Sequence, residues 1–213
     1  MKVLILSANF GFIDDIRPQA TQSIQTDYKT IDSGCFDGYP DRIRGKMLKI
    51  SIPFLDICKG YDFVIWKDAR VQITNSAFVE YMIDMAEMHN IGAVLHPERK
   101  TLADEYDYIL KNINKPYLQT RYKDYDFAGE IEYFNDVLGH TLYNPRVFIV
   151  NMADRKMIDD FFHSWRMLIE DTTWFDQTQF SVGLQDLPKL KVKDLYWQDL
   201  EKYCIIHKHD KLI

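Results

Sequence analysis

Short apolar runs recur along the chain at "KVLILSA", "YDFVIWKDA", "IGAVLHP" and "PRVFIVNM", mostly of Val, Ile and Leu. Runs of this length and composition predict strands buried on both faces, over 2–8, 61–67, 91–95 and 146–151. A further strand is expected over "SIQTDY". The intervening segments carry helical spacing instead. Residues 41–58 place Ile43, Met47, Ile50, Phe54, Leu55 and Cys58 near one face, opened by Asp41 after Pro40, and Pro53 should kink or divide that helix. Val79, Met82, Ile83 and Ala86 share a face of 76–89, and Thr101 with Asp104 predicts a capping box at the start of 101–112. The longest amphipathic stretch is 154–170, with Met157, Phe161, Trp165, Leu168 and Ile169 on one side. Strands alternating with helices predict an α/β chain, Rossmann-like, with a mainly parallel central sheet flanked by helices. No repeat, linker or low-complexity segment interrupts it, so residues 1–213 are expected to form a single domain.

Two stretches break the pattern. Residues 117–134, "YLQTRYKDYDFAGEIEYF", mix aromatic and charged residues without a clean period. They are expected to form an irregular segment, either with partly buried rings or as an aromatic-lined binding loop. The other is "FVIWKDARVQI" (63–73), where Lys67, Asp68 and Arg70 follow directly on a core strand. Ionised groups there need partners or a ligand, and ligands of open α/β sheets bind beyond the carboxyl ends of the strands. Asp68 either caps a turn and pairs with a neighbour such as Arg70, or belongs to a site.

Composition narrows the classes. The chain has 213 residues, 46% hydrophobic and 27% charged, with a formal net charge of −6. That balance suits a soluble globular protein and argues against one that coats nucleic acid, while permitting a local basic patch. The apolar runs are too short to span a bilayer, and "MKVLILSANFGF" reads as a first strand rather than a signal peptide, so a cytoplasmic protein is expected. Cys35, Cys58 and Cys204 are odd in number and widely spaced, without a zinc pattern, and are expected as free thiols.

The order of these motifs resembles the GT-A glycosyltransferases. A basic helix containing Arg44, Lys46, Lys49 and Pro53 precedes "GYDFVIWKDARVQI", similar to that family's "YD.v.wlDaD..i" strand. "LYNPRVFIVNMADRKMIDDFF", "WFDQTQFSVGL" and "CIIHKHDK" resemble its "FNaGv.vinl", "DQ..lN" and C-terminal histidine segments. "HPERKTLADEY" and "LSANFGFIDDIRP" resemble most the glycosyltransferase-like domain of plant mucilage-related proteins, and the order of motifs also resembles the retaining glycogenin- and galactosyltransferase-like enzymes.

The resemblance implies a hexosyltransferase-type activity, moving a sugar from a nucleotide diphosphate donor, a UDP-sugar above all, to a hydroxyl of a glycan, a protein or a modified nucleic-acid base, DNA included. A non-catalytic nucleotide-sugar or glycan-binding module of the same fold is the alternative. Ala8, Asn9, Phe10 and Gly11 would meet the nucleoside, Thr26 and Asp27 the base or ribose, and one or two of Arg44, Lys46 and Lys49 the nucleotide. Asn144 stands at the sugar pocket, although Pro145 and Arg146 replace the family's small residues there. Asp176 and Gln177 would contact the transferred sugar or acceptor, Asp176 as the leading catalytic carboxylate unless it caps the helix that follows. His96, Glu98, Arg99, Asp104 and Glu105 are further cleft candidates.

The metal motif departs from the family. Arg70 stands where a second carboxylate would be, and arginine repels a cation rather than ligating it. Either Asp68 shares Mn2+ or Mg2+ with His207 or His209, or Arg70, a lysine and the histidines stabilise the diphosphate without metal.

Overall fold

The computed structural model describes residues 1–122 and 125–208. In chain order its elements are β1 (Val3–Ala8), β2 (Thr26–Ile31), α1 (Asp41–Ile50), β3 (Phe63–Lys67), β4 (Val71–Ile73) and α2 (Phe78–Ala86). There follow β5 (Ile91–Leu95), α3 (Leu102–Asn112), α4 (Pro116–Tyr122), α5 (Phe127–Tyr133) and β6 (Tyr143–Asn151). The chain continues through α6 (Arg155–Asp171), α7 (Asp176–Asp186), β7 (Val192–Leu195) and β8 (Cys204–Ile206).

Local chemistry sets several of these boundaries. The Thr101 hydroxyl accepts from the Asp104 amide at 3.2 Å while the Asp104 carboxylate accepts from the Thr101 amide at 3.0 Å, so the capping box starts α3. The Asp154 carboxylate caps α6 through the Met157 amide. Pro53 divides the 41–58 pattern as expected: α1 stops at Ile50 and two single 3-10 turns, 52–54 and 56–58, carry the chain on.

Six strands form the central sheet in the order β2-β1-β3-β6-β5-β7. β1 pairs in parallel with β2 and β3, and β5 with β7. β6 runs against both of its neighbours, β3 and β5. The sheet is therefore mixed, parallel except at β6. The short pair β4 and β8 stands apart.

Strand alternation divides the core. Leu4, Leu6, Val64, Trp66, Phe148 and Val150 face α1, α6 and α7, packing with Met47, Phe161, Trp165 and Phe180. Val3, Ile5, Phe63, Ile65 and Ile149 face α2, against Phe78, Val79 and Met82. A third cluster joins α3, α4 and α5 through Tyr106, Ile109, Leu118, Tyr122, Phe127 and Phe175. The 117–134 stretch thus corrects the sequence expectation: it holds two short helices rather than an irregular loop. Of its described rings, Tyr122, Phe127 and Phe134 are buried and Tyr133 is exposed, with Phe127 meeting Tyr122 and Phe175 edge-on at 5.6 and 5.7 Å. The signal was hidden because these rings pack against several elements and produce no single helical stripe. Among the described residues no helix is long and apolar enough to cross a membrane.

Candidate functional site

β1 and β3 lie side by side and parallel, with Leu6 level with Trp66, so Ala8 and Asp68 emerge together at their carboxyl ends. Alternation turns Trp66 and Asp68 toward α1 and Lys67 to the opposite face. On α1, Arg42, Lys46 and Lys49 follow one another at four and three residues and share a side. α7 brings Asp176 in at its first position, where the helix dipole favours a carboxylate. These elements enclose a cavity of about 550 Å³, lined by Ala8, Asn9, Lys46, Lys49, Trp66, Asp68, Arg70, Asn144, Asp176 and Gln177 among others.

An ion network forms its floor. Lys46 Nζ lies 3.1 Å and Lys49 Nζ 2.9 Å from the Asp176 carboxylate, and Lys49 also lies 3.5 Å from Asp68. The side chains of both lysines are 8% exposed, that of Asp176 12% and that of Asp68 28%, so Asp68 is the more open carboxylate. Lys46 further donates to the Trp174 carbonyl, and Lys49 sits over the Trp66 ring at 5.3 Å. Burial pushes the Asp176 carboxyl up, but the ammonium groups of Lys46 and Lys49 outweigh it and hold it well below the usual carboxylate range. Burial likewise pulls Lys49 down, and Asp176 and Asp68 outweigh it to leave Lys49 raised. A carboxylate pinned in this way is a poor proton acceptor near neutral pH. Its chemistry is to fix two ammonium groups. Nor is it a helix cap: Phe175 holds the cap position, without a side-chain cap bond.

In "FVIWKDARVQI", Asp68 does pair with a neighbouring lysine, Lys49, while Arg70 is left to be placed. Among the described residues its guanidinium has no carboxylate partner, and its buried Nε has no hydrogen-bond partner. Asp68 turns instead to Lys49 and to the Trp66 indole, which donates at 3.1 Å. Asp68 and Arg70 therefore do not pair with each other. The Gln177 amide Nε2 is also buried at the cavity, without a partner among the described residues. Buried donors left in this state cost stability unless a ligand accepts from them.

The other candidates divide: Ala8, Asn9, Phe10, Glu98, Arg99, Glu105 and Asn144 line the cavity, whereas Gly11, Asp27, Arg44, His96 and Asp104 do not. Asn9 and Phe10 line the cavity, yet the Asn9 amide is engaged in closing the 9–14 loop, donating to the Asp14 carbonyl at 2.7 Å and accepting from its amide at 3.2 Å. Phe10 is core, with the Arg44 guanidinium stacked 4.3 Å from its ring centre. Gly11 serves the turn rather than the cavity: its φ is +70°, and a Cβ there would meet Asp41 Oδ2 at 2.6 Å. Arg44 does not reach the cavity; it pairs with Asp37 at 2.7 Å and Asp41 at 3.2 Å. Asp27 is likewise absent from the cavity, its carboxylate accepting from the Tyr61 hydroxyl at 2.6 Å. Asn144 lines the cavity while its side-chain oxygen accepts from the Arg146 amide at 3.2 Å.

His96 accepts from the Glu98 and Arg99 amides, and burial, with Arg99 and Arg146 nearby, pushes its pKa down to about 3. It is a neutral turn-former. Arg99 lines the cavity, bonded to Glu105 and stacked 4.3 Å from the Tyr108 ring centre. Asp104 belongs to the α3 cap.

Arg146, expected to alter the sugar pocket, also lines the cavity; sequence reasoning missed Arg42 and Tyr108, which line it too, and buried Glu130, which binds the hydroxyls of Tyr106, Thr173 and Thr178. Glu130 thereby anchors the segment that leads into Asp176. No local motif marks such a carboxylate, because its partners lie 24 to 48 residues away.

A divalent cation finds a poor donor set here. Asp68 has an ammonium group 3.5 Å away. His207 Nε2 is hydrogen-bonded to the Gln72 side chain at 2.9 Å, while the His207 amide donates to the Arg70 carbonyl. His209 lies outside the described residues. Among the described residues no three His, Cys, Asp or Glu side chains come together as a metal site. The charge of Lys49 and Arg70 disfavours a cation at Asp68.

No family model and no curated protein matches the chain. Solved structures similar to it include the galactosyltransferase LgtC in complex with donor and acceptor sugar analogues, at 12% identity and a TM-score of 0.45 over 91% of this chain and 73% of that one. Mouse xyloside xylosyltransferase 1, in its apo form, aligns at 11% identity and a TM-score of 0.49 over 92% of this chain and 85% of that one. An active-site mutant of LgtC aligns at 14% identity and a TM-score of 0.42, covering 92% and 72%. Likenesses of this size do not carry an activity, which must rest on the site's own residues.

Proposed function

We propose that residues 1–213 form a single GT-A-like unit that transfers a sugar from a nucleotide diphosphate donor, a UDP-sugar in the first instance, to a hydroxyl acceptor. The observation that carries the reading is the Arg70 guanidinium, unpaired among the described residues, in the same cavity as the Lys46–Asp176–Lys49 network. As the bond between anomeric carbon and diphosphate breaks, negative charge builds on the leaving oxygens. Arg70 meets it with a charge-assisted hydrogen bond, and Lys49, steered by Asp176, adds positive charge from below. Because both lysines are already held in place, little reorganisation accompanies the reaction. Gln177 presents its amide to a sugar or acceptor hydroxyl. Asp176 is a positioning carboxylate rather than a proton carrier, so the acceptor hydroxyl's proton passes to the departing diphosphate oxygen as the new glycosidic bond forms. Of the two ways to stabilise the diphosphate, the charges present favour the cationic one over Mn2+ or Mg2+.

The test is release of free nucleotide diphosphate from UDP-, GDP- and ADP-sugars, with and without a divalent cation. An enzyme turns the donor over beyond one equivalent. Saturable donor binding without turnover would support the non-catalytic binding module instead.

A further inference from the structure

A second cavity, of about 640 Å³, opens on the face of the sheet turned away from α1, over the carboxyl ends of β2, β1 and β3. The pairing of Ser7 with Thr30, and of Leu6 with Trp66, sets Thr30, Ser7 and Lys67 in one row across the three strands. The row before it holds Tyr28, Ile5 and Ile65. The strands thus change from apolar to polar where the cavity begins, on a face that elsewhere is core against α2.

Two buried groups in that row have unused hydrogen-bonding capacity. Lys67 is 5% exposed, and its ammonium, with three protons to donate, makes one hydrogen bond among the described residues, to the Val71 carbonyl at 2.8 Å. Ser7 is 2% exposed, and its hydroxyl has no partner among the described residues. Burial drops the Lys67 pKa to about 8, as befits an ammonium short of acceptors. The remaining walls add Arg17 and Lys29 against Asp15, so positive charge exceeds negative. Thr26, Thr30 and Gln25 supply polar edges, and Ile5, Ile16 and Ile24 apolar surface. A cavity of this size and lining suits a small organic molecule.

We propose that this cavity is a second binding site, for a small organic anion, a phosphate ester or carboxylate on a compact hydroxylated body, whose charged group is held by Lys67 and Ser7. Asn9 and Ala69 line both cavities, so the two sites share a wall. The proposal stands on this geometry and does not depend on the donor assignment.

Calorimetric titration of the intact chain with glucose 6-phosphate and with glucuronate tests it, alone and in the presence of UDP. Saturable binding of either probe is expected, and the probe that binds identifies phosphate ester or carboxylate. Lys67→Met, which keeps length and removes charge, and Ser7→Ala should each weaken binding about tenfold, with melting curves run as a folding control. Should Lys67→Met fail to fold, the tenfold loss expected of Ser7→Ala decides the matter by itself. UDP should leave the probe's stoichiometry unchanged. Absence of binding at millimolar concentrations, or binding that the variants leave intact, would overturn the proposal. Displacement of the probe by UDP would also overturn it, by making the cavity an arm of the first site. Failure of UDP to bind would count against the donor assignment alone.

Discussion

Removing the Asp176 carboxylate tests how dry and how coupled the site floor is. Asp176→Ala removes the carboxylate shared by two ammonium groups that lie 3.1 and 2.9 Å from it, on side chains 8% exposed. Breaking a buried pair on one side costs about 3–5 kcal/mol, because the remaining charge is left without compensation. Lys49 keeps Asp68 at 3.5 Å, so the lower end, about 3 kcal/mol, is expected. For a domain of this length each kcal/mol shifts the melting temperature by about 2–4 °C, which gives a fall of about 6–12 °C. Asp176→Asn, which keeps an acceptor, should lose less. Replacing all three residues by apolar ones of similar volume (Lys46→Met, Lys49→Met and Asp176→Leu) should restore much of the stability while abolishing diphosphate binding. Urea unfolding at neutral pH reads the first effect and calorimetry the second. A loss below about 1 kcal/mol in Asp176→Ala, the value of a solvated pair, would refute the reasoning.

Arg70→Ala should weaken nucleotide diphosphate affinity by about 1.5–3 kcal/mol, the worth of a hydrogen bond to a charged group, with little change in melting temperature. The opposite pattern, a lower melting temperature with unchanged affinity, would mark Arg70 as structural. Gly11→Ala should destabilise by about 1–2 kcal/mol in urea unfolding, since its φ is positive and the new Cβ crowds Asp41. The pH profile follows from the ion network. Asp176, lowered from its ordinary 3.8, contributes stability that is present above that value and lost as pH falls through the folded value. Lys49, raised from 10.5, contributes stability that is present below that value and lost as pH rises through the folded value. The network's contribution should thus be flat from about pH 5 to about pH 9 and fade at both extremes, and Asp176→Asn should shrink the acid limb.

β1, β3, β5 and β6 were legible because each is a short run of branched apolar residues, and the helices because caps and prolines leave local marks at Thr101, Asp154 and Pro53. The edge strands were less so, β2 beginning only at Thr26, within the expected run, and β7 not being expected, because an edge strand has little apolar surface to mark it. The reversal of β6 was not legible: a strand buried on both faces looks the same in either direction. Lys46, Lys49, Asp68 and Asp176 could each be named from the sequence, but not that Asp176 binds both lysines, since 127 residues separate it from Lys49. Arg44 and Asp27 were equally plausible by type and position. Only the rotation of α1 and the distance of β2 from the cavity removed them. Lys67 could be seen in the sequence as a charge at a strand end, but its burial follows from which face of β3 it occupies.

The most direct measurement is calorimetric titration of UDP, GDP and ADP into the wild-type chain, with EDTA and then with Mn2+. Saturable binding of at least one nucleotide diphosphate in EDTA, weakened by Arg70→Ala and little changed by Mn2+, is the predicted result. No binding of any of the three at millimolar concentrations would contradict the central claim that Arg70 and the lysines of α1 face a nucleotide diphosphate.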